Sequence, residues 1–272
     1  MALQIVLHTF RMIFGNIGQA LRVSVVPNLI LIVATFFAIG SLGLGVYGGA
    51  GAAPTAVPTG FGILMSLLLL PLSLFIFAWI AVGWHRFILL EEYAGIVPAL
   101  AGRPIWPYVW KSILLALTMM VIVLPIMLVF GGIIGATAAD SVADGAVIAT
   151  DGWDASGGAG FGAMLLFSLI AIPVSYVAMR WGVALVSTAL GQQMGFFEAW
   201  GKTKPVALIA LGVVVILMAI NLLLQSIVTV LSPLPLISDL IGIATSWLTM
   251  MLSISILTTI YGHVIEGRPL VS

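Results

Sequence analysis

The chain has 272 residues, 62% of them apolar and 7% charged, with a mean hydropathy of +1.28. A soluble domain carries roughly 25% charged residues, so this chain cannot cover its own surface in water, and lipid is its solvent over most of its length. Nine Lys and Arg balance nine Asp and Glu, which argues against a nucleic-acid partner, and the absence of Cys excludes disulfides, thiolate metal sites and a Cys nucleophile.

In chain order, residues 1–22 come first. Leu3, Leu7, Phe10, Phe14, Ile17 and Leu21 recur at spacings of four and three, with Gln4, His8, Arg11, Gly15 and Arg22 on the opposite face. This pattern predicts an amphipathic helix lying in a membrane interface. Six apolar stretches follow, at 23–47, 61–90, 108–136, 161–190, 205–231 and 237–263. Each meets the roughly 20 residues needed to span a bilayer. No stretch alternates in polarity as a barrel strand does. The expected fold is all-α: six transmembrane helices in one domain over 23–272, with an N-terminal interfacial helix. Ala50-Gly51-Ala52 has the small residues of a signal cleavage site. The apolar stretch before it exceeds the roughly 7–15 residues of a signal peptide, so the first helix is read as retained.

Arg11, Arg22, Arg86, Arg103, Lys111, Arg180, Lys202, Lys204 and Arg268 all fall on one side of this topology, and the connections 48–60, 137–160 and 232–236 contain no Lys or Arg. The positive-inside rule makes that side cytoplasmic, which predicts a bacterial inner-membrane protein with both termini inside. Glu91, Glu92, Glu198 and Glu266 share the basic side, while Asp140, Asp144, Asp151, Asp154 and Asp239 lie opposite. The 137–160 loop lacks the acid spacing of an EF-hand and reads as loosely ordered. Segments 91–107 and 192–204 each place Gly and basic residues before the next span, and Gly102-Arg103 matches Gly201-Lys202. The chain therefore divides into three candidate units, each an interfacial segment followed by a helical hairpin.

The search for chemistry yields no catalytic set. Glu91-Glu92 resembles the paired glutamates of one intramembrane protease class, but Ile96 stands where that motif has Arg. Gly40-Ser41-Leu42-Gly43 lacks the spacer of a rhomboid serine motif. The loop around Phe197-Glu198-Ala199-Trp200-Gly201 lacks the later Ala and Gly of a permease coupling segment. His8, His85 and His263 are far apart in sequence; the last two end cytoplasmic helix ends and read as interfacial hydrogen-bonding residues. No enzyme activity, metal or cofactor is expected.

The intramembrane polar residues are Asn28, Asn221 and Gln225, accompanied by Pro27, Pro71, Pro125 and Pro173. Asn221 and Gln225 share one helix face and read either as interhelical hydrogen-bonding groups or as the lining of a substrate path. Pro71, Pro125 and Pro173 should kink or loosen their helices. Close helix contacts are expected around the small residues at 40–45 and 160–163.

Arg86 and Arg180 are followed by further apolar residues, 87–90 and 181–190, which sets both guanidinium groups in the inner-leaflet zone. Two readings stand: snorkelling or pairing with Glu91, Glu92 or Glu198, and a site for an anionic phospholipid headgroup held between the second and fourth spans. With Arg103, Lys202 and Lys204 they form a basic rim, flanked by Trp84, Trp106, Trp110, Trp181 and Trp200.

The stretch 180–205, above all Phe197-Glu198-Ala199-Trp200-Gly201-Lys202-Thr203-Lys204, resembles a cytoplasmic segment of uncharacterised six-helix bacterial inner-membrane proteins. These are similar to the membrane domain attached to some glycerophosphodiester phosphodiesterases. The resemblance implies an N-terminal interfacial helix, six spans and association with membranes or lipids. It carries over no catalytic residue. Two functional readings follow: an accessory protein packing against lipid or another membrane complex, and a transporter or channel for a small or lipidic solute. A packed interior favours the first, and a polar, water-accessible cavity favours the second.

Overall fold

A computed structural model describes residues 1–41, 60–143 and 158–270, without the side chains of 129–143, 158–169 and 235. The elements are α1 (Ala2–Gly15), α2 (Ile17–Ser41), α3 (Gly60–Leu90), α4 (Ile105–Ala143), α5 (Gly158–Ala189), α6 (Phe196–Lys202), α7 (Ala207–Val230) and α8 (Pro235–Val264), with a 3-10 turn at Lys204–Val206 between α6 and α7. Six of them, α2, α3, α4, α5, α7 and α8, are long and apolar enough to cross a membrane. The protein is an all-α, multi-pass membrane protein. Pro27, Pro71, Pro125 and Pro173 each lie inside a continuous helix. The 48–60 connection up to Thr59, Ala50-Gly51-Ala52, Asp144, Asp151, Asp154 and Trp153 lie outside the described residues, as do the side chain of Asp140 and those at 160–163.

The N-terminal region differs from expectation in where the first span begins. The helix breaks at Asn16, whose φ of −124° leaves the helical region and whose Nδ2 donates back to Met12 O at 2.9 Å. The first span therefore starts at Ile17, six residues before the expected start. The apolar stripe of α1 faces away from the protein, as a helix lying in a membrane interface requires. Leu3, Leu7 and Phe14 are exposed, while Ile5, Val6, Thr9 and Ile13 are buried against α7 and α8. The physical reason is the solvent. Where lipid replaces water, bulky apolar side chains gain little by leaving it, and smaller ones allow close helix packing. Gly212 of α7 shows how tight this contact is: a Cβ built there lies 2.9 Å from the Ala2 Cβ.

The hairpins α2/α3, α4/α5 and α7/α8 each pack as a pair, and their second helices α3, α5 and α8 meet one another at the centre. The first helix of the next unit packs on the preceding second helix, α4 on α3 and α7 on α5. The segment before each hairpin follows the same rule. α1 packs on α8 and α6 on α5, while the 91–104 segment meets α3 through Trp79 Nε1 donating to Pro98 O at 3.2 Å and a Phe87–Tyr93 edge contact. The three units thus follow each other in a cycle. All three central helices also stop in the same way, at a left-handed residue: Glu91 (φ 57°), Gly191 (φ 79°) and Gly267 (φ 68°).

The core sits at the basic end of the bundle. There Trp84, Ile80, Tyr108, Val183, Val186, Met251, Leu252 and Tyr261 are buried, while Phe61, Leu67 and Leu70 at the other end of α3 are exposed. Of the contact expected at 40–45, residues 42–45 lie outside the described residues, and no described atom lies within 4 Å of a Cβ at Gly40. Close approach occurs instead at Gly212 and at Gly182, where a Cβ would lie 3.0 Å from Leu257.

Candidate functional site

The basic end is assembled from the terminal turns of the three central helices and the segments that follow them. Glu91 turns the chain back at the end of α3 and so delivers Glu92 to Arg86, one turn earlier. Arg86 Nε donates to Glu92 Oε2 at 3.0 Å and Nη2 to Oε1 at 2.6 Å, the paired geometry that suits a guanidinium and a carboxylate. Arg103, placed by the Gly102 turn (φ 71°), pairs with the same carboxylate. Two guanidinium groups therefore share one carboxylate and retain one net positive charge. Burial, and then the charge of Arg86, hold the Arg103 pKa below its ordinary value. Around this pair, Tyr93, Ile96, Trp106 and Trp110 project outward, all more than 60% exposed, as anchors of a membrane interface do.

Cations also stop the central helices. Arg86 Nη1 donates to Ala189 O at 3.1 Å, and Lys111 Nζ donates to Thr188 Oγ1 at 2.9 Å and to Met194 O at 2.5 Å. Both charges sit at the C-terminus of α5, where the helix dipole favours them. Arg268 does the same for α3, Nη2 donating to Leu89 O at 2.8 Å, while its Nε pairs with Glu266 at 2.6 Å. Tyr261 completes the set, donating to Gln192 Oε1 at 2.9 Å. Lys111 and Arg268 in these capping roles were not singled out from sequence, since their partners are backbone oxygens from distant units and leave no motif.

Arg180 is placed elsewhere. It is 4% exposed; Nε donates to Thr203 Oγ1 at 3.0 Å, Nη1 to Tyr176 OH at 2.9 Å and Nη2 to Trp200 O at 2.5 Å. Its guanidinium lies 3.7 Å from the centre of the Trp200 ring, a cation–π contact strengthened by desolvation. No carboxylate pairs with it among the described residues. Arg180 therefore pins α6 to α5, whereas Arg86 ties α3 to α5, and the two do not converge on one pocket. On α6, Lys202 pairs with Glu198 at 2.8 Å, one turn apart. The Lys202 hydrogen bond, then the Gly195 N–H, hold the Glu198 carboxyl below its ordinary range. Lys204 is exposed in the 3-10 turn.

His85, expected as an interfacial hydrogen-bonding residue, makes its hydrogen bonds inside the protein. It is fully buried between α3, α4 and α8, with Nδ1 at 2.8 Å from Thr258 Oγ1 and Nε2 at 3.5 Å from Tyr108 OH. The Thr258 hydroxyl donates to Ile254 O at 3.0 Å, so the network assigns the proton to Nδ1, and the Tyr108 hydroxyl donates to Nε2. The burial arises because α4 and α8 pack against α3 there and supply Tyr108 and Thr258, contacts that hydropathy alone does not reveal. His263 does not join this cluster and bonds the Arg268 carbonyl at 2.9 Å. The side chains of Asn28, Asn221 and Gln225 make no hydrogen bond with the described residues. Asn28 lines the seam between α2 and α8, where Trp247 Nε1 donates to Ser24 Oγ at 2.8 Å, and Asn221 lines a cavity between α5, α7 and α8.

Fold and site together define a multi-pass membrane protein whose basic end is tied across its units by guanidinium and ammonium groups and rimmed by exposed aromatic side chains. No protein-family model, curated protein or solved structure matches the chain.

Proposed function

We propose that this chain is a non-catalytic accessory protein of a bacterial inner membrane, its basic end and both termini cytoplasmic, that associates with anionic phospholipid headgroups and with another membrane complex. The observation that carries the lipid reading is the sharing of Glu92 by Arg86 and Arg103. It stands within an end that holds all nine basic residues and only four acidic ones, Glu91, Glu92, Glu198 and Glu266. Lys204, the rim member with no acceptor among the described residues, is a headgroup ligand together with Arg103, whose carboxylate partner is shared with Arg86, and with Lys202 alongside. Arg86 and Arg180 hold the scaffold that presents them. Trp106 and Trp110 set the depth of this rim. The resemblance of 180–205 to a segment of six-helix bacterial inner-membrane proteins, themselves similar to the membrane domain attached to some glycerophosphodiester phosphodiesterases, points in the same direction. At the centre, Trp84, His85, Tyr108, Met251 and Tyr261 fill the bundle, which favours an accessory role over a solute path through the basic end.

The test is lipid-dependent stability of the purified protein. Phosphatidylglycerol or cardiolipin is expected to raise the Tm more than phosphatidylcholine does, with each basic group near the surface worth about 1 kcal/mol, and salt is expected to weaken the effect. Arg103→Gln/Lys204→Gln removes most of the difference. Equal stabilisation by anionic and zwitterionic lipid defeats the lipid reading. Gentle extraction followed by mass spectrometry of co-purifying proteins tests the accessory reading, and reproducible isolation of the chain alone counts against it.

A further inference from the structure

A cavity of about 540 Å³ lies between α5, α7 and α8, lined mainly by apolar groups such as Met179, Leu217, Met218 and Leu257. Among the described residues its lining includes no ionisable side chain. Three polar groups enter it: Ser175, Asn221 and Ser253. Ser253 is satisfied within its own helix, its hydroxyl donating to Thr249 O at 2.9 Å. The Asn221 carboxamide and the Ser175 hydroxyl have no hydrogen-bonding partner among the described residues. Leaving an amide unpaired in hydrocarbon costs several kcal/mol, so a partner for Asn221 inside the membrane is strongly favoured.

Depth narrows the chemistry of that partner. At 1.5 Å per residue, Asn221 stands about 21 Å along α7 from Ala207, and Ser175 about 21 Å along α5 from Ala189. Both distances run from the basic end, into a hydrocarbon core about 30 Å thick. A phosphate tied to the headgroup layer does not reach that level, and the cavity offers it no cation. A neutral lipid does reach it, because nothing charged holds its polar group at the surface. An amide that both donates and accepts matches a hydroxyl or a carbonyl, and the flexible Met179 and Met218 side chains adapt to an alkyl or isoprenoid chain.

We propose that this cavity binds a neutral lipid, a diacylglycerol or an isoprenoid quinone, whose hydroxyl or carbonyl pairs with Asn221 and Ser175 while its chains continue into the bilayer. The site is separate from the basic rim, so loss of one leaves the other measurable. The full chain in phosphatidylcholine nanodiscs is exposed to photoactivatable dioleoylglycerol, a photoactivatable isoprenoid quinone and, as the third arm, photoactivatable phosphatidylglycerol. Either neutral probe is expected to label peptides of α5, α7 or α8 around the cavity. Labelling falls about tenfold in Ser175→Ala/Asn221→Leu, the loss expected for removal of these hydrogen bonds. It falls similarly in Ala178→Leu, which fills the cavity and leaves the amide in place. Unchanged neutral-lipid labelling in either variant, or competition by phosphatidylglycerol equal to that by unlabelled dioleoylglycerol, overturns the proposal.

Discussion

Arg86 and Ala189 are 103 residues apart in sequence, yet Arg86 Nη1 lies 3.1 Å from the Ala189 carbonyl oxygen. One side chain thereby closes the end of α5 from the end of α3 while its other two nitrogens hold Glu92. Arg268 repeats the relationship one unit away, on Leu89. In lipid, apolar burial contributes little to holding helices together, so these polar ties at the basic end carry much of the specificity of the bundle.

Arg86→Gln removes the carboxylate pair and the Ala189 tie together. The expected loss is about 2–3 kcal/mol, the range for hydrogen bonds involving charged groups, read as a lowered Tm in detergent. Arg86→Lys is expected to recover little, because one ammonium cannot span both partners as the guanidinium fork does.

Gly212→Val is expected to displace α1, since a Cβ at 212 already lies 2.9 Å from the Ala2 Cβ, closer than two such atoms can pack. Ile13 is fully buried, so Ile13→Cys in this cysteine-free chain reports the change. Thiol labelling of Ile13→Cys is expected to be negligible alone and rapid with Gly212→Val; slow labelling in both contradicts the docking of α1.

Glu91 is the one non-glycine residue with positive φ among those described. Glu91→Gly relieves that conformation and is expected to stabilise the protein by about 0.5–1 kcal/mol, the relief being partly offset by the greater freedom of Gly in the unfolded chain. Glu91→Val is expected to destabilise it, and thermal unfolding of the pair checks the sign.

His85→Leu leaves the Tyr108 hydroxyl without its acceptor in a buried site, an expected cost of about 1–3 kcal/mol. Combining it with Tyr108→Phe removes both partners and is expected to recover part of that cost, which a double-mutant cycle measures.

Topology is checked by labelling Thr150→Cys from each side of sealed vesicles. Reaction is expected only on the side opposite the termini, and reaction from the terminal side alone contradicts the assigned orientation.

Six spans, the helical class and the gathering of all basic residues at one end were legible from the 272 letters alone. Hydropathy and helix length are local quantities, and a bilayer reads them one segment at a time. The three-unit division was visible as the spacing of mixed-polarity segments. Its cyclic packing was not, because Gly102-Arg103 and Gly201-Lys202 say nothing about which helix each segment touches. Tertiary structure alone decided that α1 turns Ile5, Val6 and Ile13 inward, that His85 is buried, that Arg180 pins α6 rather than joining Arg86, and that Asn221 faces a cavity. Lipid makes the exposed and buried faces of an apolar helix nearly equal in transfer energy. The choice between them falls to close packing and hydrogen bonds with distant segments, and a linear pattern does not encode those contacts.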